Sequence, residues 1–357
     1  MNNQNPQRRP LPKGQGSNTV SRRNRRPRSN GMPNNAGSSN FSTAAVVVIA
    51  VLLLINYKIF SSVITSQVPV PVAGNVNSGQ TDNTSTEPQN PYAEEIARDF
   101  VPITVTNEDT RCGNLILVNN THAFDFEASS TLCGSEELVS IGALKTNDYY
   151  ISFNTETLTP TAIEAFNQLT ADFAKETGHR DLIIVDSIRT KEDQQRMFEE
   201  KGPEIATNPG HSEHHTGLAF DLSLYSNGVY GTFDGTGDYA WIAKNCYKYG
   251  YIVRYPETKT DITGIIYEPW HMRYVGKEHA YFMTLNNLCL EEYVELLSRY
   301  PLESPRLHFT TADGTGYTVY SQSVLGDSAT VYVPRNAEYF LSGDNDGRII
   351  VTCKNPA

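Results

Sequence analysis

The densest group of reactive side chains lies in the segment 209–223, which reads PGHSEHHTGLAFDLS. It holds three histidines, His211, His214 and His215, within five residues, and then Asp221. Histidine nitrogens and carboxylate oxygens are typical zinc ligands, and a catalytic zinc site takes three of them and keeps a fourth position open. The segment therefore predicts part of a metal centre.

Two further clusters could complete such a centre. Glu268 and His271 lie close together in the sequence, well downstream of the segment 209–223. Pro269 between them disfavours a regular central strand, so we expect their side chains to converge across a bend. Arg189 follows a predicted buried strand, at the point where a helix begins. A carboxylate beside a metal can take a proton from water, and an arginine can stabilise an oxyanion. Histidine and aspartate ligands, with Glu268 as base and Arg189 as oxyanion contact, would form a hydrolytic site.

The hydrophobic pattern predicts the elements that position these clusters. Alternation places Leu218, Phe220 and Leu222 in the core and leaves Asp221 facing an open site. Strands and helices intermix without regular βαβ spacing, which favours an α+β fold, a small antiparallel sheet with flanking helices around the zinc site. The other predicted elements are strands at Leu115–Val118 and Leu182–Val185 and helices at Thr159–Thr177, after Thr190, and at Tyr239–Tyr249, Lys277–Leu285 and Leu290–Ser298.

Charge is distributed unevenly along the 357 residues. Residues 1–66 carry nine basic side chains and no acidic one, whereas residues 67–357 carry 20 basic and 40 acidic side chains. The acidic part would repel phosphates, which argues against a nucleic-acid partner. Residues 41–64 are uncharged apart from Lys58 and long enough to span a bilayer, and the basic residues before them predict a cytoplasmic N-terminus. A cleaved signal peptide and a buried core helix are the alternatives.

The chain is therefore expected to be a single-pass protein of the cell membrane with its catalytic domain outside. The turn sequence 343–347 predicts a hairpin within a β-rich C-terminal part. The predicted regions are a disordered basic tail (1–40), a transmembrane anchor (41–64), a flexible linker (65–91), a catalytic domain (92–304) and a small β-rich region (305–357).

All five cysteines lie in the exported part, where disulfides are permitted, and none forms a C-x-x-C pair. Cys112 and Cys133 are the first pair to test. Cys246 lies on the apolar face of a predicted helix, which is typical of a buried free thiol.

Two motifs resemble those of the VanY-like D-alanyl-D-alanine carboxypeptidases, zinc peptidases that act on peptidoglycan stem peptides. They are S-x-H-x-x-G-x-A-x-D at 212–221 and E-P-W-H at 268–271, and the resemblance covers roughly residues 114–281. It implies one zinc ion per chain and leaves His211 and His215 as loop residues. The implied roles are zinc ligation by His214, Asp221 and His271, general-base catalysis by Glu268, contact with the substrate carbonyl by Arg189, and substrate binding by Ser212 and Gln194.

The sequence thus predicts a membrane-anchored zinc carboxypeptidase that removes the terminal D-alanine from stem peptides. An L,D-carboxypeptidase acting on tetrapeptide stems, a peptidoglycan endopeptidase and a non-catalytic zinc-bearing wall-binding module are the alternatives. The presence of Glu268 argues against the last. Two residues also have structural alternatives: Glu268 as an ion-pair partner of Arg273, and Arg189 as a salt-bridge residue.

Overall fold

The structure is a computed structural model that describes residues 90–128, 137–202 and 206–356. Every described residue belongs to one compact unit, which begins at Thr84. The predicted tail (1–40) and membrane anchor (41–64), with nearly all of the linker (65–91), lie outside the described residues. Within the described part, no helix combines the length and apolar character needed to cross a membrane.

The described residues form short helices and strands in irregular alternation. The α-helices are α1 (Ala93–Asp99), α2 (Ile141–Leu144), α3 (Pro160–Thr177), α4 (Lys191–Lys201), α5 (Ala240–Asn245), α6 (Thr260–Thr263), α7 (Lys277–Leu285) and α8 (Leu290–Ser298). The strands are β1 (Phe100–Thr106), β2 (Val139–Ser140), β3 (Tyr150–Ile151), β4 (Thr157–Leu158), β5 (Leu182–Asp186), β6 (Ala219–Ser226), β7 (Val229–Gly231), β8 (Tyr251–Tyr255), β9 (Glu268–Tyr274), β10 (Leu307–Thr310), β11 (Gly316–Ser323), β12 (Ser328–Pro334), β13 (Tyr339–Gly343) and β14 (Arg348–Lys354).

A six-stranded sheet forms the centre of the catalytic part. Its order is β3-β5-β6-β9-β8, and β7 pairs with β6 beside this path. Every pair is antiparallel except β3 and β5, which are parallel over two residues. The predicted α+β class is confirmed, and the short parallel pair is the one departure of this sheet from the predicted antiparallel arrangement.

Helix α3 covers the apolar face of this sheet. Its start is set by Thr159, whose hydroxyl accepts a hydrogen bond from the backbone of Ala162, and its end by Gly178 in the left-handed conformation. Phe166 from the middle of the helix packs edge-to-face on Phe220 of β6, with ring centroids 4.7 Å apart. The predicted helix is confirmed, and its buried face fixes which side of β6 remains open.

Most other predicted helices are also found. Helices α7 and α8 have the predicted bounds, and Thr190 caps α4 by accepting a hydrogen bond from the backbone of Asp193. The segment predicted as one helix at Tyr239–Tyr249 is α5 followed by a 3-10 turn, Cys246–Tyr249.

The prediction of a strand at Leu115–Val118 is wrong. These residues are buried, as their apolar character predicts, but they pair with no strand. The backbone of Leu115 donates to the hydroxyl of Ser342, and that of Leu117 donates to the carbonyl of Asp344. These two backbone amides therefore find their hydrogen-bond partners in the C-terminal region, which the local sequence pattern does not reveal.

The C-terminal region contains the predicted short strands and one predicted hairpin. Strands β10-β11-β14-β13 form a four-stranded sheet, and β13 and β14 are joined by the turn at 343–347. Strand β12 pairs instead with β1, from Phe100 opposite Pro334 to Thr106 opposite Ser328. The two ends of the described chain are thus hydrogen-bonded to each other, and the predicted boundary at residue 304 stays a prediction.

The cysteines differ in their covalent state. Cys112 is disulfide-bonded, and its predicted partner, Cys133, lies outside the described residues. Cys246 is a buried free thiol, as predicted, and burial raises the pKa of this thiol to about 12. It is therefore uncharged and unreactive at neutral pH.

Candidate metal centre and active site

Three adjacent strands bring acidic and histidine side chains into one row. Asp221 on β6 is paired with Asp186 on β5 and with His271 on β9. Phe220 and Leu222, the neighbours of Asp221, are buried, whereas the Asp221 side chain is 22% exposed. The predicted alternation along β6 is confirmed, and it aims Asp221 at the open face of the sheet.

His214 reaches the same place from the 3-10 turn Glu213–Thr216, directly before β6. Its Nδ1 lies 2.8 Å from the carbonyl oxygen of Ser187, which can only accept, so Nδ1 carries the proton. In the neutral imidazole the other nitrogen, Nε2, carries the lone pair, and it lies 3.6 Å from Oδ1 of Asp221. This tautomer is the one that a metal ligand needs.

The residues predicted as zinc ligands fit a zinc ion. One ligand atom from each of His214, Asp221 and His271 lies within 4.8 Å of the other two. Nδ1 of His271 is 2.9 Å from Oδ1 of Asp221, and the two imidazole rings are nearly perpendicular, at 88°. Tetrahedral zinc with bonds of about 2.0–2.1 Å needs ligands roughly 3.3 Å apart. Two nitrogens and one oxygen at this spacing match a catalytic zinc site.

The electrostatics of this group also favour a cation. Burial alone would raise the pKa of Asp221, but the charges and hydrogen bonds of His214 and His271 outweigh it and hold the pKa well below its usual range. Burial alone would lower the pKa of His271, but the hydrogen bond to Asp221 and the nearby carboxylate of Glu213 outweigh it and raise the pKa to about 9. The metal-free site therefore holds a proton where a metal ion would lie.

Glu268 approaches the centre because strand β9 is irregular. The register between β8 and β9 shifts between Val253 and Tyr255, which face Met272 and Glu268. Between these two pairs, one residue on β8 thus opposes three on β9, and this bulge accommodates Pro269 inside a paired strand. The predicted bend is a bulged strand, and it places Glu268 Oε2 3.9 Å from His271 Nδ1.

The pKa of Glu268 is raised above its ordinary value, because the burial of its carboxyl outweighs the attraction of His271. Arg273, the alternative ion-pair partner proposed from the sequence, instead donates to Glu213 at 2.8 Å. Glu268 thus remains available for proton transfer.

Arg189 is held at the edge of the site by three side chains. It forms an ion pair with Asp186, donates to the amide oxygen of Gln194 at 2.6 Å, and lies 3.5 Å from the hydroxyl of Ser212. The salt bridge proposed as an alternative role is therefore present. Gln194 is fully buried and donates in turn to the carbonyl of Thr207 at 2.7 Å. Its position is that of a support for Arg189, while Ser212 lies beside the guanidinium.

All seven predicted site residues line one cleft with a volume of about 710 Å³. Its walls also include Phe198, Tyr255, Ile265 and Trp270. A cleft of this size with an apolar wall and a few convergent polar groups is typical of a small-molecule or peptide site.

Comparison with known proteins identifies the family. The profile described as "VanY: D-alanyl-D-alanine carboxypeptidase" matches residues 155–277. A D-alanyl-D-alanine carboxypeptidase of Enterococcus faecium is 33% identical over 253 residues, which cover 70% of this chain and 78% of that protein. The chain belongs to the VanY family. This membership confirms the predicted enzyme class, a zinc metallopeptidase of the D,D-carboxypeptidase type.

Two further relatives of this VanY-family chain cover different shares of its length. The putative carboxypeptidase YodJ of Bacillus subtilis (strain 168) is 44% identical over 138 residues, 36% of this chain and 50% of that protein. The solved structure of the vancomycin-resistance D,D-dipeptidase VanXYg with a D-Ala-D-Ala phosphinate analogue is 26% identical, with a TM-score of 0.61, and covers 72% of this chain and 99% of that one. The similarity over 253 residues extends beyond the range 114–281 expected from the motifs.

The motifs of the VanY family assign no role to Glu213, a buried residue behind the metal ligand His271. Glu213 is fully buried, and its Oε1 accepts from Arg254 at 2.7 Å and from Arg273 at 2.8 Å. Its Oε2 lies 3.5 Å from Nε2 of His271. Because the two arginines follow Glu213 by 41 and 60 residues, no local pattern signals this network.

The two remaining histidines of the motif segment lie outside the ligand triad, as expected. His215 Nδ1 lies 2.7 Å from the carbonyl of Arg189, and its Nε2 accepts from the backbone of Gly210. His211 Nδ1 lies 2.6 Å from the carbonyl of Asn119. Burial lowers the pKa of His215. Both imidazoles thus hold neighbouring loops in place through contacts with their backbone atoms.

Proposed function

We propose that this protein is a zinc D-alanyl-D-alanine carboxypeptidase that releases the C-terminal D-alanine from peptidoglycan stem peptides. The observation that carries the proposal is the convergence of His214, Asp221 and His271 with Glu268 and Arg189 in one cleft. Membership of the VanY family and the similarity to an E. faecium protein named as a D-alanyl-D-alanine carboxypeptidase support it.

Each residue has a defined part in such a reaction. Zinc, when bound, supplies a Lewis acid that polarises a carbonyl and lowers the pKa of water. Glu268 accepts the proton of the attacking water and returns it to the departing amine, and its raised pKa brings the carboxyl closer to neutral pH for both transfers.

The arginine and its neighbours bind and orient the substrate. Arg189 donates to the scissile carbonyl oxygen, where negative charge develops, and Asp186 and Gln194 fix its guanidinium in advance. We assign the binding of the terminal carboxylate of the stem peptide to Ser212, whose hydroxyl lies 3.5 Å from Arg189. Because the site recognises a free terminal carboxylate, cleavage is restricted to the last residue of the stem peptide.

We further propose that residues 41–64 anchor the protein in the cell membrane, with residues 1–40 in the cytoplasm and the linker 65–91 carrying the enzyme on the outer side. The support is the sequence alone: an uncharged apolar segment that follows an exclusively basic tail. Cysteine labelling from outside intact cells, with single cysteines introduced at positions 20 and 80, tests this topology. Labelling at position 20 contradicts it.

The reaction itself is tested by mass spectrometry of products. Purified full-length protein is incubated with pentapeptide and tetrapeptide stems and with cross-linked dimers. We expect loss of one alanine from the pentapeptide only, and no product with the matched variant Glu268→Gln. Cleavage of the tetrapeptide would instead identify an L,D-carboxypeptidase, and cleavage of the dimer an endopeptidase.

A further inference from the structure

Three tyrosines form an exposed aromatic row on the central sheet. The ring of Tyr225 lies between those of Tyr150 and Tyr230, with centroid distances of 5.2 Å and 5.1 Å. Tyr150 is 47% exposed and Tyr230 is 57% exposed. Contiguous exposed aromatic rings are uncommon on a soluble surface and usually mark an interaction site.

The register of the sheet shows which face carries this row. Tyr225 follows Asp221 by four residues on β6, so both side chains point to the same side. Tyr230 is paired directly with Tyr225. These two tyrosines therefore lie on the face of the sheet that holds the metal centre.

Tyr150 lies on this face as well. It is paired with Ile183, and Ile183 is paired with Ser223, which alternates with Asp221 and Tyr225 on β6. Ile183 is buried although it lies outside the core cluster under α3. Because Ile183 is buried on this outer face, we infer that the tyrosine rings cover it and that the row forms a continuous surface.

The separation between the row and the metal centre matches a dimension of the proposed substrate. Four residues along β6 span about 13 Å. In a pentapeptide stem, four residues separate the scissile bond from the amino sugar that carries the peptide, and they extend about 13–14 Å. With the terminal carboxylate at Ser212, in the loop before β6, a stem bound along the strand places its sugar near Tyr225.

The chemistry of the row fits a sugar. A tyrosine ring offers an apolar face to the carbon–hydrogen face of a pyranose and a hydroxyl to its polar groups. The row itself is uncharged, and the net negative charge of the chain after position 66, from 20 basic and 40 acidic residues, disfavours a polyanion.

We propose that Tyr150, Tyr225 and Tyr230 bind the glycan strand, so that the enzyme prefers stem peptides attached to peptidoglycan over free stem peptides. This inference rests on the proposed function, because it takes the direction and length of the bound peptide from that substrate. It assigns the row a role in substrate selection, separate from the chemistry at the metal centre.

The test compares two substrates with one pair of variants. The double variant Tyr150→Ala/Tyr230→Ala removes the two exposed rings, and Tyr339→Ala, at a 37% exposed tyrosine on β13, is the matched control. D-Alanine release is measured with a free pentapeptide and with glycan-linked pentapeptides. We expect the double variant to retain activity on the free peptide within twofold and to lose about tenfold in kcat/KM on the glycan-linked one. Tyr339→Ala should match the unaltered protein on both.

A binding measurement keeps the proposal testable independently of catalysis. Isothermal titration of the full-length protein with a hexamer of N-acetylglucosamine should show binding that the double variant loses. Equal activity of both variants on both substrates, an equal loss on both substrates, or no binding of the hexamer overturns the glycan assignment. The proposed function fails separately, if the unaltered protein releases no D-alanine from the free pentapeptide.

Discussion

Glu213 Oε2 lies 3.5 Å from Nε2 of His271, on the side of the imidazole opposite Asp221. Within the described part of the chain, neither of these two buried atoms has a hydrogen-bond partner at normal geometry. The other oxygen of Glu213 binds two fully buried arginines, Arg254 and Arg273. A carboxylate behind a metal-binding histidine fixes the orientation of the ring and strengthens its ligating nitrogen. Glu213 thus links the metal centre to the buried ion-pair network.

Replacing Glu213 with glutamine should weaken zinc binding about 10–100-fold, because the amide keeps the shape but loses the charge behind His271. Titration against a chromophoric chelator measures this change. The variant should also be less stable, by about 3–5 kcal/mol, because the two arginines lose their shared counter-charge.

Glu291→Gln is the matched control for this variant. Glu291 binds Arg254 through both oxygens but lies in a different part of the network from His271. We expect Glu291→Gln to lower the free energy of unfolding while leaving zinc affinity unchanged. Equal zinc affinity in both variants would show that Glu213 has only a structural role.

Zinc binding should depend steeply on pH. The pKa of His271 in the metal-free protein is raised from 6.5 to about 9, so below pH 9 a proton must leave Nδ1 before zinc can bind. The apparent affinity should rise about tenfold per pH unit between pH 7 and 9 and then level off. Competition titrations at several pH values measure this slope. An affinity that is constant across this range contradicts the assigned hydrogen bonds.

Gln194→Ala should reduce catalysis without affecting the metal. Its amide oxygen accepts a hydrogen bond from Arg189, so its loss frees the guanidinium from one of its supports. We expect kcat to fall about tenfold to a hundredfold and zinc affinity to stay the same. A Gln194→Ala enzyme with unchanged kcat but altered KM would place Gln194 at the substrate instead.

Replacing the arginine itself should have a larger effect. Arg189→Lys should lower kcat about 10²–10³-fold, because lysine cannot donate through a planar fork.

The ligand triad was assigned from two motifs that resemble those of the VanY family, and local rules explain the placement of two of its members, Asp221 and His214. Alternation along β6 aims Asp221 outward, and the motif spacing places His214 in the turn before the same strand. The α+β class and helix α3 followed from periodicity and capping residues. These features depend on residues close together in the chain.

The features that the sequence did not predict depend on distant contacts. Leu115–Val118 is buried without becoming a strand, and two of its backbone amides bond to the C-terminal region, more than two hundred residues away. Glu213 acquires its role only when Arg254 and Arg273 fold around it. The bulge that brings Glu268 beside His271 depends on the register of β8 against β9.

The most direct test of the account is zinc-dependent release of D-alanine from a free pentapeptide. The full-length protein is stripped of metal by a chelator, dialysed and assayed before and after addition of one equivalent of zinc. The account predicts no release without metal, recovery on addition of zinc, and no recovery in His214→Ala. Full activity in the stripped protein, or recovery in His214→Ala equal to that of the unaltered chain, would contradict it.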